Sequence, residues 1–201
     1  VGEAQSTANY VVETLAPTIS SITNSDTALI TGQTSTLTIV FSEAVAAFAS
    51  SADVSCPAGS LATMTTSDSI TWAGVFTPTA DTEDDTNVCT LATSYTDTYG
   101  NPGPGATTAN YEVETLAPTI SSITNSDTAL KTGDTSTLTI VFNEAVAAFD
   151  KTDVTCPAGT LGTLSSGNSI TWTGTFTPTA DTEDAVNTCD IAASYTDTAG
   201  N

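Results

Sequence analysis

The chain has 201 residues, of which 23 are Asp or Glu, only two are Lys or Arg and none is His, giving a formal net charge of -21. No basic patch can form to neutralise phosphates, which excludes nucleic acid and an anionic membrane surface as partners. The lack of His excludes Ser-His-Asp and Cys-His nucleophilic chemistry, while 39% hydrophobic residues against 12% charged ones leave ample material for a folded core.

In chain order, Val1-Gly2-Glu3-Ala4-Gln5 shows neither the basic nor the apolar region of a signal peptide. No run of about 20 apolar residues follows that could span a membrane. Leu37, Ile39 and Phe41 alternate with Thr38, Val40 and Ser42, the period of a half-buried strand. Val54 and Cys56 alternate with Asp53 and Ser55, which predicts Cys56 inward and Asp53 outward. Ile70, Trp72 and Phe76 mark another strand, Asp81-Thr82-Glu83-Asp84-Asp85 an acidic loop, and Cys89, Leu91, Thr93 and Tyr95 the inward face of a further strand. Turn residues separate these runs at Thr31-Gly32, Pro57-Ala58-Gly59, Asp84-Asp85 and Tyr99-Gly100-Asn101. No segment has helical periodicity.

From Tyr111 the pattern starts again. Tyr10-Val11-Val12-Glu13-Thr14-Leu15-Ala16-Pro17 recurs as Tyr111-Glu112-Val113-Glu114-Thr115-Leu116-Ala117-Pro118, Cys56-Pro57-Ala58-Gly59 as Cys156-Pro157-Ala158-Gly159, and Ile70-Thr71-Trp72 as Ile170-Thr171-Trp172. The period is about 100 residues, the size of a small domain rather than of a solenoid repeat. About seven short strands per period, divided by turns, predict an all-β chain of two tandem β-sandwiches.

The chain resembles the bacterial Ig-like tandem repeats of large adhesins and surface fibre proteins. The resemblance rests on Leu15-Ala16-Pro17-Thr18-Ile19, Thr38-Ile39-Val40-Phe41-Ser42-Glu43-Ala44-Val45, Val75-Phe76-Thr77-Pro78 and Tyr95-Thr96-Asp97-Thr98-Tyr99-Gly100-Asn101, and on the second copy's Thr196-Asp197-Thr198-Ala199-Gly200-Asn201. It implies two immunoglobulin-like domains in an extracellular array, often stiffened by calcium. The chain departs from the family in carrying two Cys per repeat, and in Glu13 and Glu114 where Asp is common.

In that family's frame, residues 15–115 form a first domain and 116–201 a second that stops before its last strand. Residues 1–14 are then an orphan terminal strand, with Ala8, Tyr10 and Val12 as its donor residues. Nine residues precede Tyr10 and nine separate Asn101 from Tyr111, so the two ends continue the repeat in register. A sandwich lacking a strand exposes core and unpaired backbone. Either neighbouring repeats of a longer covalent array supply the strand, or residues 1–14 of one copy complete the second domain of the next by donor-strand complementation. The expected partners are therefore copies of the chain or neighbouring repeats, head to tail, in a filament or adhesin stalk outside the cell. A module binding glycan, ice or a host protein is the alternative, with Tyr10, Tyr99 and Tyr111 as the available exposed aromatics.

Cys56 and Cys89, like Cys156 and Cys189, stand 33 residues apart. Each pair could form an intradomain disulfide, worth roughly 3–4 kcal/mol in the chain-entropy model, or remain as two buried thiols. A metal site is disfavoured by the lack of His and of CxxC spacing. Asp81, Glu83 and Asp84, with Glu114, Glu144 and Asp197, are the candidate oxygen ligands for Ca2+ at the junction between domains; the same groups also read as solvated acidic loops. Glu43 recurs as Glu144, and a catalytic carboxylate pair duplicated in every repeat is a poor enzyme reading. The expectation is a protein without catalytic activity.

Overall fold

The computed structural model describes residues 2–201; Val1, on which the expected strand 1–14 begins, lies outside the described residues. The chain divides into two compact units, Val1–Val113 and Glu114–Asn201.

The alternation around Ile39 becomes β3 (Ser35–Phe41), in which every second residue is buried. This strand lies inside a sheet of order β1-β3-β7-β6, with β1 (Ile19–Asn24), β6 (Gly59–Leu61) and β7 (Thr71–Pro78). The antiparallel register sets Ile39 opposite both Ile22 and Trp72. Three smaller sheets complete the unit. One has the order β2-β12-β8, from Ala28–Ile30 (β2), Glu83–Asn87 (β8) and Tyr111–Glu114 (β12). Another has the order β11-β9-β5, from Val54–Ser55 (β5), Thr90–Leu91 (β9) and Ala106–Thr107 (β11). The third pairs β4 (Val45–Ala46) with β10 (Thr96–Asp97). One core joins Leu37, Ile39, Phe41 and Phe76 to Leu29, Leu91, Tyr95, Tyr111 and Val113. Side chains from opposed sheets thus interdigitate as in a sandwich. Phe41, Phe48, Trp72 and Tyr95 pack as one ring cluster, with centroids 4.7 to 6.4 Å apart. Gly59 is required where it stands, because a Cβ there would lie 2.3 Å from the Phe76 ring.

The second unit repeats the large sheet as β13 (Ile120–Asn125), β14 (Ser136–Phe142), β17 (Gly159–Leu161) and β18 (Thr171–Pro178), in the order β13-β14-β18-β17. It also repeats two small pairs: β15 (Val146–Ala147) with β20 (Thr196–Asp197), and β16 (Val154–Thr155) with β19 (Asp190–Ile191). Among the described residues of this unit, 129–131 and 183–187, the counterparts of β2 and β8, form no strands.

Four expectations are corrected. Asp53, expected outward, is only 4% exposed, and its carboxylate accepts hydrogen bonds from the Ala49 N–H at 2.6 Å and from the Ser94 hydroxyl. A single helical turn, α1 (Ser50–Asp53), interrupts the two-residue period there, and the second unit has a 3-10 turn at Lys151–Asp153. Thr93, expected inward, is exposed, since the chain leaves β9 at Leu91 and only Tyr95 returns to the core. The acidic segment expected as a loop is partly the strand β8, recruited because β12 lies beside it. Tyr111, expected among the exposed aromatics, is buried.

Candidate functional site

The feature that separates the two units is the strand that closes the first. Tyr111 is 1% exposed; its ring centroid lies 5.2 Å from that of Phe76, and its hydroxyl donates to the Pro57 carbonyl at 2.5 Å. Burial, with the charge of Asp84 adding to it, pushes its pKa up to about 12. The Tyr111 carbonyl accepts from Asn87 Nδ2 at 3.3 Å, and the Glu112 N–H donates to the Thr27 carbonyl at 2.8 Å. Asn110 accepts from the Asn87 N–H at 2.8 Å through Oδ1 and donates to the Asp85 carbonyl at 2.9 Å through Nδ2. Thr108 bonds Cys89 twice: its N–H donates to the Cys89 carbonyl, and its Oγ1 accepts from the Cys89 N–H, both at 3.0 Å.

In the second unit the same place is a groove of about 310 Å³ lined by Thr128, Leu130, Pro157, Phe176, Asn187 and Cys189. These are the counterparts, one for one, of Thr27, Leu29, Pro57, Phe76, Asn87 and Cys89. Leu29, Phe76, Asn87 and Cys89 are buried under the closing strand, whereas Leu130, Phe176 and Cys189 are half-buried and Asn187 is exposed. Residues 183–187 and 129–131 form no strands, as expected of edges with no partner between them.

Residues 2–12 are exposed and form no strand, and Tyr10, Val11 and Val12 each present more than 70% of their surface to solvent. Of the three expected donor residues, Tyr10 and Val12 correspond to the buried Tyr111 and Val113. Ala8 corresponds to Ala109, which is exposed. The buried position is one earlier, at Thr108, whose counterpart is Thr7.

The sequence model of the bacterial Ig-like domain matches residues 13–113 and 114–201, nearly the whole chain in two consecutive copies. The chain belongs to the bacterial Ig-like domain family. No curated protein and no solved structure matches it.

Each bacterial Ig-like unit carries one disulfide, Cys56–Cys89 and Cys156–Cys189, each with Cα atoms 4.2 Å apart. The strand register explains the pairing. Val54 faces Leu91 and Ser55 faces Thr90, so the next position sets Cys56 opposite Cys89 on adjacent antiparallel strands. The same register of Val154 with Ile191 and Thr155 with Asp190 brings Cys156 to Cys189. Both bonds therefore staple neighbouring strands of one sheet.

Of the six candidate metal ligands, Glu114, Glu144 and Asp197 come together in the second unit, with carboxylate oxygens within 4.8 Å of one another. Asp81, Glu83 and Asp84 belong to the first unit: Asp81 lies in a turn with a φ of 53°, and Glu83 and Asp84 start β8. Burial disfavours charge on Asp197, but the Asn201 side chain (2.9 Å) and the N–H groups of Asn201 (2.9 Å) and Gly200 (2.6 Å) bond its carboxylate and outweigh that cost. Its pKa therefore lies below the usual carboxylate value. Asn201 Nδ2 also donates to the Glu114 carbonyl at 3.0 Å, which ties the start of the unit to its final turn. Three hard oxygen donors in this arrangement suit Ca2+, which takes six to eight.

The residues that grip the closing strand by hydrogen bonds, Thr108, Asn110, Asn87 and the Pro57 carbonyl, are not among the candidates read from hydrophobic alternation. The signal for Thr108 and Asn110 is the shared tetrapeptide Thr7-Ala8-Asn9-Tyr10 and Thr108-Ala109-Asn110-Tyr111, two polar residues kept ahead of the tyrosine in both copies.

Proposed function

We propose that the chain is a structural module of an extracellular surface fibre, a filament or adhesin stalk. Its bacterial Ig-like units follow one another head to tail, by covalent tandem repetition or by donor-strand complementation. The observation that carries this reading is the strand Tyr111–Glu114. Tyr111 and Val113 close the core of the first unit, while Glu114 already belongs to the second. The segment that completes one unit is the segment that leads into the next, a design suited to a linear array.

Other features support it. Units of this family are typically extracellular or surface modules and generally non-enzymatic. Both disulfides require an oxidising compartment to persist. Lys131 and Lys151 are the only basic residues, so trypsin-like proteases have little to cut. A Ca2+ ion held by Glu114, Glu144 and Asp197 belongs to the same proposal, since its two positive charges would offset most of the repulsion among three converging carboxylates. Adhesion to glycan is the weaker reading, because burial of Tyr111 leaves Tyr10 and Tyr99 as the exposed aromatics of that expected set.

The test is made on native material. Surface labelling and electron microscopy should place the protein on extended fibres outside the cell, with its cysteines oxidised. Recovery inside the cell with free thiols, or as an isolated compact particle, would reject the reading.

A further inference from the structure

We propose that the groove of the second unit is a docking site for a second copy of this chain, which fills it with its own residues Thr7–Glu13 as an added strand. The proposal rests on the head-to-tail reading above and names the partner and the contacts.

The first unit shows what the groove accepts. Aligned through Tyr10 and Tyr111, the segment Thr7-Ala8-Asn9-Tyr10-Val11-Val12-Glu13 matches Thr108-Ala109-Asn110-Tyr111-Glu112-Val113-Glu114 at six of seven positions. The single difference, Val11 for Glu112, falls where the side chain is exposed and makes no demand on the core. Every group that holds the closing strand of the first unit has its counterpart around the groove. Phe176 stands where Phe76 meets the tyrosine ring, and the Pro157 carbonyl where Pro57 accepts the hydroxyl. Asn187 replaces Asn87 as the amide that binds the strand, and the Thr128 carbonyl replaces that of Thr27. The backbone of Cys189 is placed to bond Thr7 as Cys89 bonds Thr108.

The occupant is exposed in the same structure. Tyr10 and Val12 are 77% and 72% exposed, while Tyr111 and Val113 are each 1% exposed. Burying these two side chains and adding a strand between segments 129–131 and 183–187, which form none, removes exposed apolar surface from both molecules. The match sets its own limit. Upstream, Ala4 aligns with Gly105, where a Cβ would come within 2.8 Å of the carbonyl oxygen of the residue corresponding to Leu91, so the inserted strand begins near Thr7.

Because donor and acceptor are different surfaces, insertion propagates as an open head-to-tail series rather than closing into a dimer. It also covers Cys189. The Cys156–Cys189 bond, half-buried beside the open groove, takes on the burial of Cys89 once the strand is in place.

The test uses the full chain in oxidised form. Sedimentation over a concentration series should show an open-ended set of oligomers. The Tyr10→Ala, Val12→Asp double variant, altered only at exposed positions, should weaken association on the order of 100-fold or more. A synthetic peptide of residues 2–14 should cap the groove, shorten the oligomers and slow reduction of Cys156–Cys189 without changing that of Cys56–Cys89. A chain that stays monomeric and gains no protection from the peptide overturns the proposal. So do oligomers that persist in the double variant, and protection independent of chain concentration, which would mean closure within one molecule. If native material reduced and boiled in SDS runs many times heavier than 20 kDa, a following repeat of the same polypeptide fills the groove; the second copy is then rejected and the fibre reading stands. Strand exchange by a protein found away from the cell surface would reject the fibre reading and leave the docking site.

Discussion

Replacing Tyr111 by Ala tests whether one strand closes the first unit. The ring is buried against Phe76, and its hydroxyl is bonded to the Pro57 carbonyl. Truncating a buried aromatic ring costs about 3–5 kcal/mol, and the lost hydrogen bond leaves the Pro57 carbonyl short of a partner, worth about 1 kcal/mol more. Tyr111→Phe keeps the ring and loses only the hydroxyl, so it should cost roughly 1–2 kcal/mol. The readout must separate the units, and each holds one tryptophan, Trp72 and Trp172. With Trp172→Phe as background, urea unfolding followed by Trp72 fluorescence reports the first unit alone. A loss of about 4 kcal/mol moves its midpoint down by roughly 2 M urea at an ordinary m-value. With Trp72→Phe as background, Trp172 should report no comparable shift. A Tyr111→Ala loss below about 1 kcal/mol, or an equal loss for Tyr111→Phe, would refute the assignment of Tyr111 as the closing residue.

Further outcomes follow from the same geometry. Asp97 and Asp197 have folded pKa values below the ordinary 3.8, because the bonds from Asn101 and Asn201 and their turns outweigh the cost of burial. A depressed carboxylate stabilises the fold fully above that ordinary value and loses its contribution as pH falls through the lower folded one. Chemical denaturation across the acid range should show that loss, flattened in Asp197→Asn for the second unit. Calorimetric titration should show Ca2+ binding that Glu144→Gln weakens by at least tenfold; no heat and no change in melting would remove the ion from the proposal. Dilute chain exposed to a reductant should lose Cys156–Cys189 before Cys56–Cys89, as read by mass spectrometry after alkylation, since Cys89 is 1% exposed and Cys189 half-buried. Equal rates would show that the groove gives no access to the second bond.

Much of this protein was legible in its residues. The alternation of Leu37, Ile39 and Phe41, repeated at Leu138, Ile140 and Phe142, identified the central strand of each large sheet, because a two-residue period on one face is a local property of the backbone. The repeat set the division into two units, and the duplicated cysteine spacing left each pair open as a disulfide or as two thiols. Local pattern could not say what a segment pairs with. Asp53 turns inward because one helical turn shifts its direction against the two-residue period, and the acidic segment Asp81–Asp85 gains strand status from Glu83 onward because β12 lies beside it. Only the tertiary structure gathered Glu114, Glu144 and Asp197 from points far apart in the chain, and only it matched Cys56 to Cys89 through the register of β5 with β9. The groove belongs to the same class: residues such as Leu130, Phe176 and Asn187 are individually ordinary, and they acquire meaning because the first unit shows the strand they hold. A strand's alternation is written in its own residues, whereas its partner is chosen by the backbone groups and side chains that the rest of the fold leaves unpaired.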